Sequence, residues 1–526
     1  MTLPRYARSL LALASGVALA LSFPNYNLPF LAWISVGMLF LASFGARPRV
    51  ALLYGLLHGL VFYPLCVPWI DTVMRQYGSV DSVAAAGILA LLTVAFSIFP
   101  MVFSWGIAFV SRDGGSIRSR ALACWLAPFL WVALEFARTH LILGGFPWNL
   151  TGYAASGSLS LVQLTALTGI YGLSFIVAAY SSLLVYAVLV GRQRIWQTVI
   201  AATAALIVIA VGGQYFVPRA VPHHVAHLVQ TDFPQSEEYP ANWIQIHAPE
   251  LDQLEQISVG AAQKAPEHPS LIIWPEVPAP FSFEDPAFTQ RAQRIARDSR
   301  SNFLVGIVDW KKSAAGGWLA SNSSVLLNPA GVRVFTYDKI HLVPFGEYVP
   351  MRRWLSFAGR LTADISDFTP GTVHSVGHLP DGSFGVFICY EAIFPAEVRE
   401  FTRGGAQLLI NISNDGWFGR SSAPAQHLMM ARVRAVENRR WLLRDTNNGF
   451  TASVDPYGRI VAEMPTDVRG ELDAPYDFRS GLTPYVRFGD WFAWFCVIAS
   501  LALFLASFRR RGPRERKSKR TELGLT

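Results

Sequence analysis

Cys389 is the residue of this sequence best suited to covalent chemistry. It ends the apolar run 385–389 (Gly-Val-Phe-Ile-Cys), which is typical of a buried strand, and the segment 394–397 that follows predicts the start of a helix. The other three cysteines, of four in the chain, lie in long apolar stretches, so we expect Cys389 to have no disulfide partner in its domain. A lone thiol at a strand end is a candidate nucleophile, and an inert buried cysteine is the simpler alternative.

Two further ionisable residues follow strand-like runs. Glu276 ends the run 271–276, and Lys339 ends the run 332–339. Taken singly, each is explained as a solvated or surface residue at the end of a strand. Reactive residues of layered α/β folds collect at such ends, however. A carboxylate, an ammonium group and a lone thiol in one domain together favour a reactive site.

The elements that position these residues alternate between strands and helices. Such alternation indicates a layered α/β fold. We predict strands at 224–230, 271–276, 303–308, 324–328, 332–339, 385–389 and 408–412, and helices at about 240–264, 288–300 and 423–439.

Composition divides the chain of 526 residues into membrane and soluble parts. Only 15% of the residues are charged, against roughly a quarter in soluble proteins, and 52% are hydrophobic. The first apolar stretch also resembles a signal peptide, because Arg5 and Arg8 precede it and Ala18-Leu19-Ala20 fits a cleavage site. Apolar runs predict eight membrane helices, near 8–23, 28–45, 50–70, 83–110, 121–138, 160–190, 196–216 and 490–508.

Loop charges predict the orientation of these parts. Arginines concentrate on alternate loops and in the C-terminal tail, and the positive-inside rule places those loops in the cytoplasm. We therefore expect an extracytoplasmic domain, and we interpret the tail as a topology signal and anionic-lipid anchor, not a nucleic-acid site. The predicted domains are a membrane domain of about seven helices at 1–216, a catalytic domain at 217–489, a final membrane helix at 490–508 and a basic cytoplasmic tail at 509–526.

Four segments carry a family resemblance. The segments 274–276 (Trp-Pro-Glu), 337–347 (Tyr-Asp-Lys-Ile-His-Leu-Val-Pro-Phe-Gly-Glu) and 388–391 (Ile-Cys-Tyr-Glu) resemble the three signatures of the nitrilase, or carbon–nitrogen hydrolase, superfamily, and 412–418 adds a fourth. With the membrane flanks, the whole chain resembles the apolipoprotein N-acyltransferase family. The resemblance implies a polytopic α-helical membrane domain plus a nitrilase-like α-β-β-α sandwich, inserted between the seventh and eighth membrane helices.

The resemblance also implies the site residues. Glu276, Lys339 and Cys389 match a catalytic triad, in which Glu276 acts as general base and then general acid, Lys339 stabilises the oxyanion and Cys389 is the nucleophile. Supporting positions near the family's active site and acyl pocket fall on Glu347, Tyr390, Glu391 and Trp417. Tyr239 stands where the family often carries a tryptophan.

Two aromatic segments are candidate lipid contacts. The segment 345–361 is rich in aromatic and basic residues, including Tyr348 and Trp354, and we hypothesise a mobile interfacial lid there. An amphipathic packing helix explains this segment equally well. Trp148, in the outer loop segment 145–148, lines the same entrance or serves as an interfacial anchor.

The resemblance implies substrates and place as well. These are a phospholipid acyl donor and a diacylglyceryl lipoprotein acceptor at the periplasmic side of a bacterial inner membrane, with no cofactor and no nucleic acid. A membrane-tethered amidase or nitrilase acting on a small amide or nitrile, and a non-enzymatic receptor or scaffold, remain as alternatives. We expect no metal site, because CxxC and HExxH patterns are missing from the sequence, and we interpret His58, His341 and His427 as hydrogen-bonded structural residues.

Overall fold

The computed structural model describes residues 3–77, 80–112, 116–235, 240, 242–264, 270–313, 316–348 and 368–509. Helices dominate the first 216 residues, and strands appear from residue 224 onward. The α-helices are α1 (Arg5–Leu21), α2 (Ala32–Ser43), α3 (Pro48–Cys66), α4 (Trp69–Tyr77), α5 (Ser82–Phe96), α6 (Ile98–Val110), α7 (Ile117–His140), α8 (Thr151–Ala155), α9 (Thr165–Thr168), α10 (Ile170–Val190), α11 (Gln193–Ile207), α12 (Trp243–Ile246), α13 (Ala248–Lys264), α14 (Pro286–Asp298), α15 (Pro395–Arg403), α16 (Ala423–Asn438), α17 (Pro484–Phe488) and α18 (Trp491–Arg509).

Six helical segments within the described ranges are long and apolar enough to cross a membrane, which requires about 20 residues. They correspond to six of the eight predicted spans. The other two predicted spans are also helical, but α1 and the segment Pro29–Ser43 are shorter. The six segments are Pro48–Cys66, Ser82–Val110, Ile117–His140, Ile170–Val190, Gln193–Phe216 and Trp491–Phe508.

The predicted span 160–190 starts too early, because the long helix begins only at Ile170. Gly169 has a φ of 64°, in the left-handed region that a continuous right-handed helix excludes. A Cβ at this position would lie 2.6 Å from the ring of Tyr485, so the close approach of α17 also requires glycine. The chain therefore turns at Gly169 before α10 starts.

Small residues allow the membrane helices to pack closely. A Cβ on Gly16 would lie 2.5 Å from the carbonyl oxygen of His58, and one on Gly55 would lie 2.3 Å from that of Pro100. The backbones of α1, α3 and α6 therefore come into direct contact. His58 Nδ1 lies 2.9 Å from Ser15 Oγ on α1, which confirms the predicted hydrogen bond to a neighbouring helix.

The strands form two six-stranded mixed sheets. The strands are β1 (His224–Gln230), β2 (Leu271–Ile273), β3 (Asn302–Lys312), β4 (Trp318–Leu327), β5 (Arg333–Asp338), β6 (Val376–Leu379), β7 (Gly382–Ile388), β8 (Leu408–Ser413), β9 (Trp441–Thr446), β10 (Ala452–Val454), β11 (Ile460–Glu463) and β12 (Gly470–Tyr476). The first sheet has the order β12-β1-β2-β3-β4-β5 and the second the order β11-β10-β9-β8-β7-β6. Strands β1, β2 and β3 are parallel to one another, as are β7, β8 and β9.

Alternate residues of the first sheet belong to two different cores. Leu228 and Ile273 face the second sheet, whereas Val229 and Ile272 pack with α13 and α14. Successive side chains of a strand point to opposite faces, so the sheet is covered on both sides. Helices α15 and α16 cover the outer face of the second sheet. The layers are therefore α-β-β-α, as the resemblance implied.

Both sheets lie between residues 224 and 476. The candidate spans Gln193–Phe216 and Trp491–Phe508 lie on either side of this region in the sequence. The domain boundaries given above, and the count of membrane helices before the sheets, stay predictions.

Candidate active site

Glu276 and Lys339 form a buried ion pair between the ends of β2 and β5. Lys339 Nζ lies 3.0 Å from Glu276 Oε1 and 2.9 Å from Glu347 Oε1. Glu276 is 4% exposed and Lys339 is 1% exposed. The Lys339 ammonium group therefore pairs with two carboxylates in a site shielded from water, where charges interact strongly.

Two asparagines complete the surroundings of Glu276. Asn322 Nδ2 lies 2.8 Å from Oε1 of both Glu276 and Glu347, and the backbone N–H of Asn414 donates to Glu276 Oε2 over 2.8 Å. These contacts fix both oxygens of the Glu276 carboxylate. Sequence reasoning missed both asparagines as site residues, although Asn414 lies within the fourth signature segment, 412–418.

Cys389 follows β7 directly and is buried close to the ion pair. Burial raises the pKa of the Cys389 thiol, the charge of Glu276 raises it further, and the charge of Lys339 opposes this increase. Burial alone would lower the pKa of Lys339, but Glu276, Glu347 and Cys389 together raise it well above its usual value. At neutral pH the site therefore holds a protonated thiol beside a charged ammonium group. The structure thus brings the three predicted triad residues together.

Glu391 joins the strand ends that carry Cys389 and Lys339. Its Oε2 accepts the N–H of Ile388 over 2.6 Å, and its Oε1 accepts the Tyr337 hydroxyl and the Ile340 N–H, each over 2.7 Å. The N–H of His341 also donates to Oε1, over 3.1 Å. Burial, followed by the charge of Glu397, raises the pKa of Glu391 to about 7. The four donors stabilise the ionised form, so Glu391 can fix the spacing between Cys389 and Lys339.

Glu391→Gln is expected to lower the free energy of unfolding by about 2–3 kcal/mol, because an amide NH₂ would face a backbone N–H that now has an acceptor. Thermal or denaturant unfolding in detergent at about pH 8 would measure the loss. Glu463→Gln, on the exposed strand β11, is the control and should change the stability by less than about 0.5 kcal/mol. Equal stabilities of the two variants would contradict this role of Glu391.

The predicted aromatic residues fall in two different environments. Tyr390 is buried, and its ring lies 5.8 Å from that of His341 and 5.2 Å from that of Phe394. Trp417 is 38% exposed and packs edge-on against Tyr77 of α4, with ring centroids 5.4 Å apart. The contact of Trp417 with substrate stays a prediction. Tyr348 is the last residue of the described range 316–348. Its carbonyl oxygen accepts the N–H of Phe345.

Trp148 is buried between the N-terminal helical region and α16. Its Nε1 donates to Gln426 Oε1 over 2.7 Å, and its ring lies 5.8 Å from that of His427. Gln426 Nε2 in turn donates to the carbonyl oxygens of Pro24 and Cys66. In this structure Trp148 thus joins the two parts of the protein, and its contact with substrate stays a prediction.

Several predicted residues lie outside the described ranges. These are Tyr239, Trp354 and most of the hypothesised lid 345–361. The predicted tail 509–526 also lies outside them, apart from the backbone of its first residue. The lid and these contacts stay predictions.

His341 and His427 are hydrogen-bonded as expected. His341 Nδ1 lies 2.7 Å from Glu397 Oε1, and the His341 ring stacks on Phe394. His427 contacts the carbonyl oxygen of Cys389 and the side chain of Asp415.

One group of side chains in the described part of the chain has the spacing of metal ligands. It consists of His227, Glu471 and Asp473, whose ligand atoms lie within 4.8 Å of one another. These residues belong to the paired strands β1 and β12, whereas Cys389 follows β7 in the other sheet. His227 Nδ1 already contacts both carboxylates, at 2.8 and 3.0 Å. The triad residues therefore do not form part of this group.

Two family profiles match the chain. The carbon–nitrogen hydrolase profile matches residues 241–479, and the apolipoprotein N-acyltransferase N-terminal domain profile matches residues 15–183. Among solved structures, a nitrilase-superfamily amidase from Nesterenkonia is similar at 20% identity and a TM-score of 0.38, covering 51% of this chain and 95% of the amidase. A nitrilase-superfamily protein from Saccharomyces cerevisiae gives a TM-score of 0.37 at 20% identity, covering 48% of this chain and 90% of that protein.

Relatives named apolipoprotein N-acyltransferase match along nearly the whole chain. The one from Geobacter metallireducens is 36% identical and covers 95% of each sequence. That from Methylococcus capsulatus is 33% identical over 98% of this chain and 99% of its own. That from Azotobacter vinelandii is 34% identical over 98% of this chain and 97% of its own. By this similarity over both its membrane and its sheet-forming regions, the chain belongs to the apolipoprotein N-acyltransferase family.

Proposed function

We propose that this protein transfers a fatty acyl chain from a phospholipid to the α-amine of an S-diacylglyceryl cysteine at the N-terminus of a lipoprotein. The proposal rests on the buried Glu276–Lys339 ion pair beside Cys389. These three residues place a base, a cation and a nucleophile in one site. The names of the relatives support the choice of acceptor.

In the first half-reaction, Glu276 takes the proton of the Cys389 thiol and the sulfur attacks the ester carbonyl of the phospholipid. The tetrahedral oxyanion is stabilised by the Lys339 ammonium and by the backbone N–H of Tyr390. Glu276 then returns the proton to the departing glycerol oxygen, so that lysophospholipid leaves and a thioester remains. Unaided, moving the proton from an ordinary thiol to an ordinary glutamate would cost on the order of 6 kcal/mol.

In the second half-reaction, the neutral α-amine of the acceptor attacks the thioester carbonyl. Glu276 takes a proton from the amine, the same oxyanion contacts apply, and the proton returns to the leaving thiolate. An amide is formed and Cys389 is restored.

The membrane segments explain why such a site is tied to lipid. Both substrates reside in the bilayer, so the reacting atoms have to meet near its surface. We place the protein in a bacterial inner membrane with the sheets on the periplasmic side, because the arginines of the alternate loops are then cytoplasmic.

Intact-mass measurement of the purified protein tests the proposal directly. With phospholipid, we expect an added acyl mass on Cys389, and with a diacylglyceryl lipopeptide that mass should move to the peptide amine. Ammonia release from small amides without lipid would instead favour a membrane-tethered amidase. Failure to form any acyl adduct would argue against the two-step route.

Cysteine labelling tests the orientation. In a chain that carries Cys389→Ser, Val225→Cys on β1 is expected to react with an impermeant maleimide in cells whose outer membrane alone is permeabilised. Arg194→Cys, in the first turn of α11, should react only after the inner membrane is opened. Both positions are exposed, so accessibility in the folded protein does not distinguish them. The reverse labelling pattern would reject the proposed orientation.

A further inference from the structure

The backbone of Cys389 adopts an uncommon conformation. Its φ is 48°, in the left-handed region that a residue with a Cβ enters only at an energetic cost of about 1–3 kcal/mol. Such a conformation persists only where surrounding contacts hold it. On the N-terminal side, Glu391 accepts the N–H of Ile388 over 2.6 Å.

On the C-terminal side, His427 of α16 contacts the carbonyl oxygen of Cys389. Its Nε2 lies 3.0 Å from that oxygen, and the side chain of His427 is completely buried. A carbonyl oxygen can only accept a hydrogen bond, so Nε2 carries the hydrogen.

Arg444 determines the protonation of the other ring nitrogen. Arg444 Nη2 lies 3.2 Å from His427 Nδ1, and a guanidinium group can only donate. Burial, followed by the charge of Arg444, lowers the pKa of His427, so the ring is neutral at pH 7. A neutral ring with its hydrogen on Nε2 satisfies both neighbours. Asp415 Oδ1, also 3.2 Å from Nδ1, receives hydrogen bonds from Arg444 and from Ser413 Oγ.

Aromatic side chains pack around the imidazole. The ring of Trp148 lies 5.8 Å from it at 31°, and the ring of Phe418 lies 5.9 Å from it at 85°. The ring of His427 therefore has little freedom to turn away from Cys389.

The carbonyl of Cys389 and the N–H of Tyr390 belong to the same planar trans peptide, so they point in opposite directions. A contact that fixes the carbonyl consequently fixes the N–H. That N–H is the backbone donor assigned to the oxyanion in the proposed mechanism.

We infer that His427 is a positioning residue for acyl transfer: its Nε2–H holds the Cys389 carbonyl and thereby aims the Tyr390 N–H at the oxyanion. This inference rests on the proposed function. His427 touches no reacting atom, and it acts only through the peptide that joins Cys389 to Tyr390.

Two polar substitutions separate the contacts of the two ring nitrogens. The amide of Gln can reach the position of Nε2, whereas that of Asn reaches only the position of Nδ1. We expect H427N to slow acyl-enzyme formation from phospholipid by about 100-fold, since the loss of one oxyanion donor typically costs that much or more. H427Q should stay within about fivefold of the unchanged protein.

Alkylation of Cys389 by iodoacetamide distinguishes positioning from a merely structural role. If His427 only supported the structure, its substitution would change the alkylation rate as well. This displacement forms no oxyanion, so its rate should stay within about threefold in both variants. Both rates are measured on the same preparation, after size-exclusion chromatography has removed unfolded protein, so that their ratio compares folded protein only. H227Q, at a buried histidine on β1, is the control and should leave the ratio unchanged.

Two results would overturn the inference: an unchanged ratio in H427N, whether neither rate falls or both fall in parallel, or equal losses in H427N and H427Q. Cys389→Ser distinguishes these results from failure of the proposed function. Acyl transfer that persists in Cys389→Ser would reject the proposed function, whereas an inactive Cys389→Ser with normal H427N would reject only the role of His427.

Discussion

Cys389→Ser is expected to abolish both the acylation of the protein by phospholipid and the transfer of the acyl chain to an acceptor. A hydroxyl group is far less acidic than a thiol, so Glu276 cannot generate the nucleophile. The initial rate should fall at least about 10³-fold, and intact-mass spectra should show no acyl adduct. The fold should survive, because the change removes little volume and Ser413 already offers a hydrogen-bond partner at this position.

Cys124→Ser is the matched control for this variant. Cys124 lies on α7, in a candidate membrane span, and its substitution should leave both half-reactions intact. Transfer that continues without Cys389 would disprove the assignment of the nucleophile.

Lys339→Met should have the second largest effect, because it removes the cation shared by Glu276 and Glu347. Breaking a buried ion pair costs about 3–5 kcal/mol of unfolding free energy, and the loss of the oxyanion contact should lower the rate by at least about 100-fold. Thermal unfolding in detergent and initial rates of acyl-enzyme formation would measure the two losses.

Lys311→Met is the control, because Lys311 is half-exposed and pairs with Asp338 at the surface. Its loss should cost less than about 1 kcal/mol. A deficit in Lys339→Met as small as that of the control would show that the buried pair does not stabilise the site.

The sequence predicted several elements of the sheet-forming region. The strand 224–230 matches β1, the predicted helix start at 394–397 matches α15, and 423–439 matches α16 closely. These segments combine strong apolar patterns with clear breakers, such as Pro395 at the first turn of α15. The local sequence pattern was therefore enough to predict the elements that bury a full face.

The C-terminal strands of both sheets escaped prediction. Strands β10 and β11 have only three and four residues, and β12 contains Pro475 and charged residues on an edge of the first sheet. Such strands acquire their structure from pairing with distant segments, as β12 does with β1, and not from their own composition. β9 is apolar, but it directly follows a long helix and was missed as well.

The partners that hold the site residues were also beyond reach. Asn322 lies inside β4 in a run of serines, and Arg444 lies in a strand between apolar residues and an aspartate. Nothing in either pattern predicts a contact with Glu276 or with His427. The signature segments placed the reacting groups, whereas these partners depend on the register of both sheets.

Gln426 has a practical consequence for inhibitor discovery. Its side chain joins α16 to Trp148, Pro24 and Cys66, and Glu437 on the same helix accepts the N–H of Ile170 over 2.9 Å. A fragment of residues 217–489 would lose these partners and would expose the buried side chain of Gln426, one residue away from His427. Compound screens and crystallisation trials should therefore use the intact chain in detergent or nanodiscs, because hits against the excised fragment would report on a distorted site.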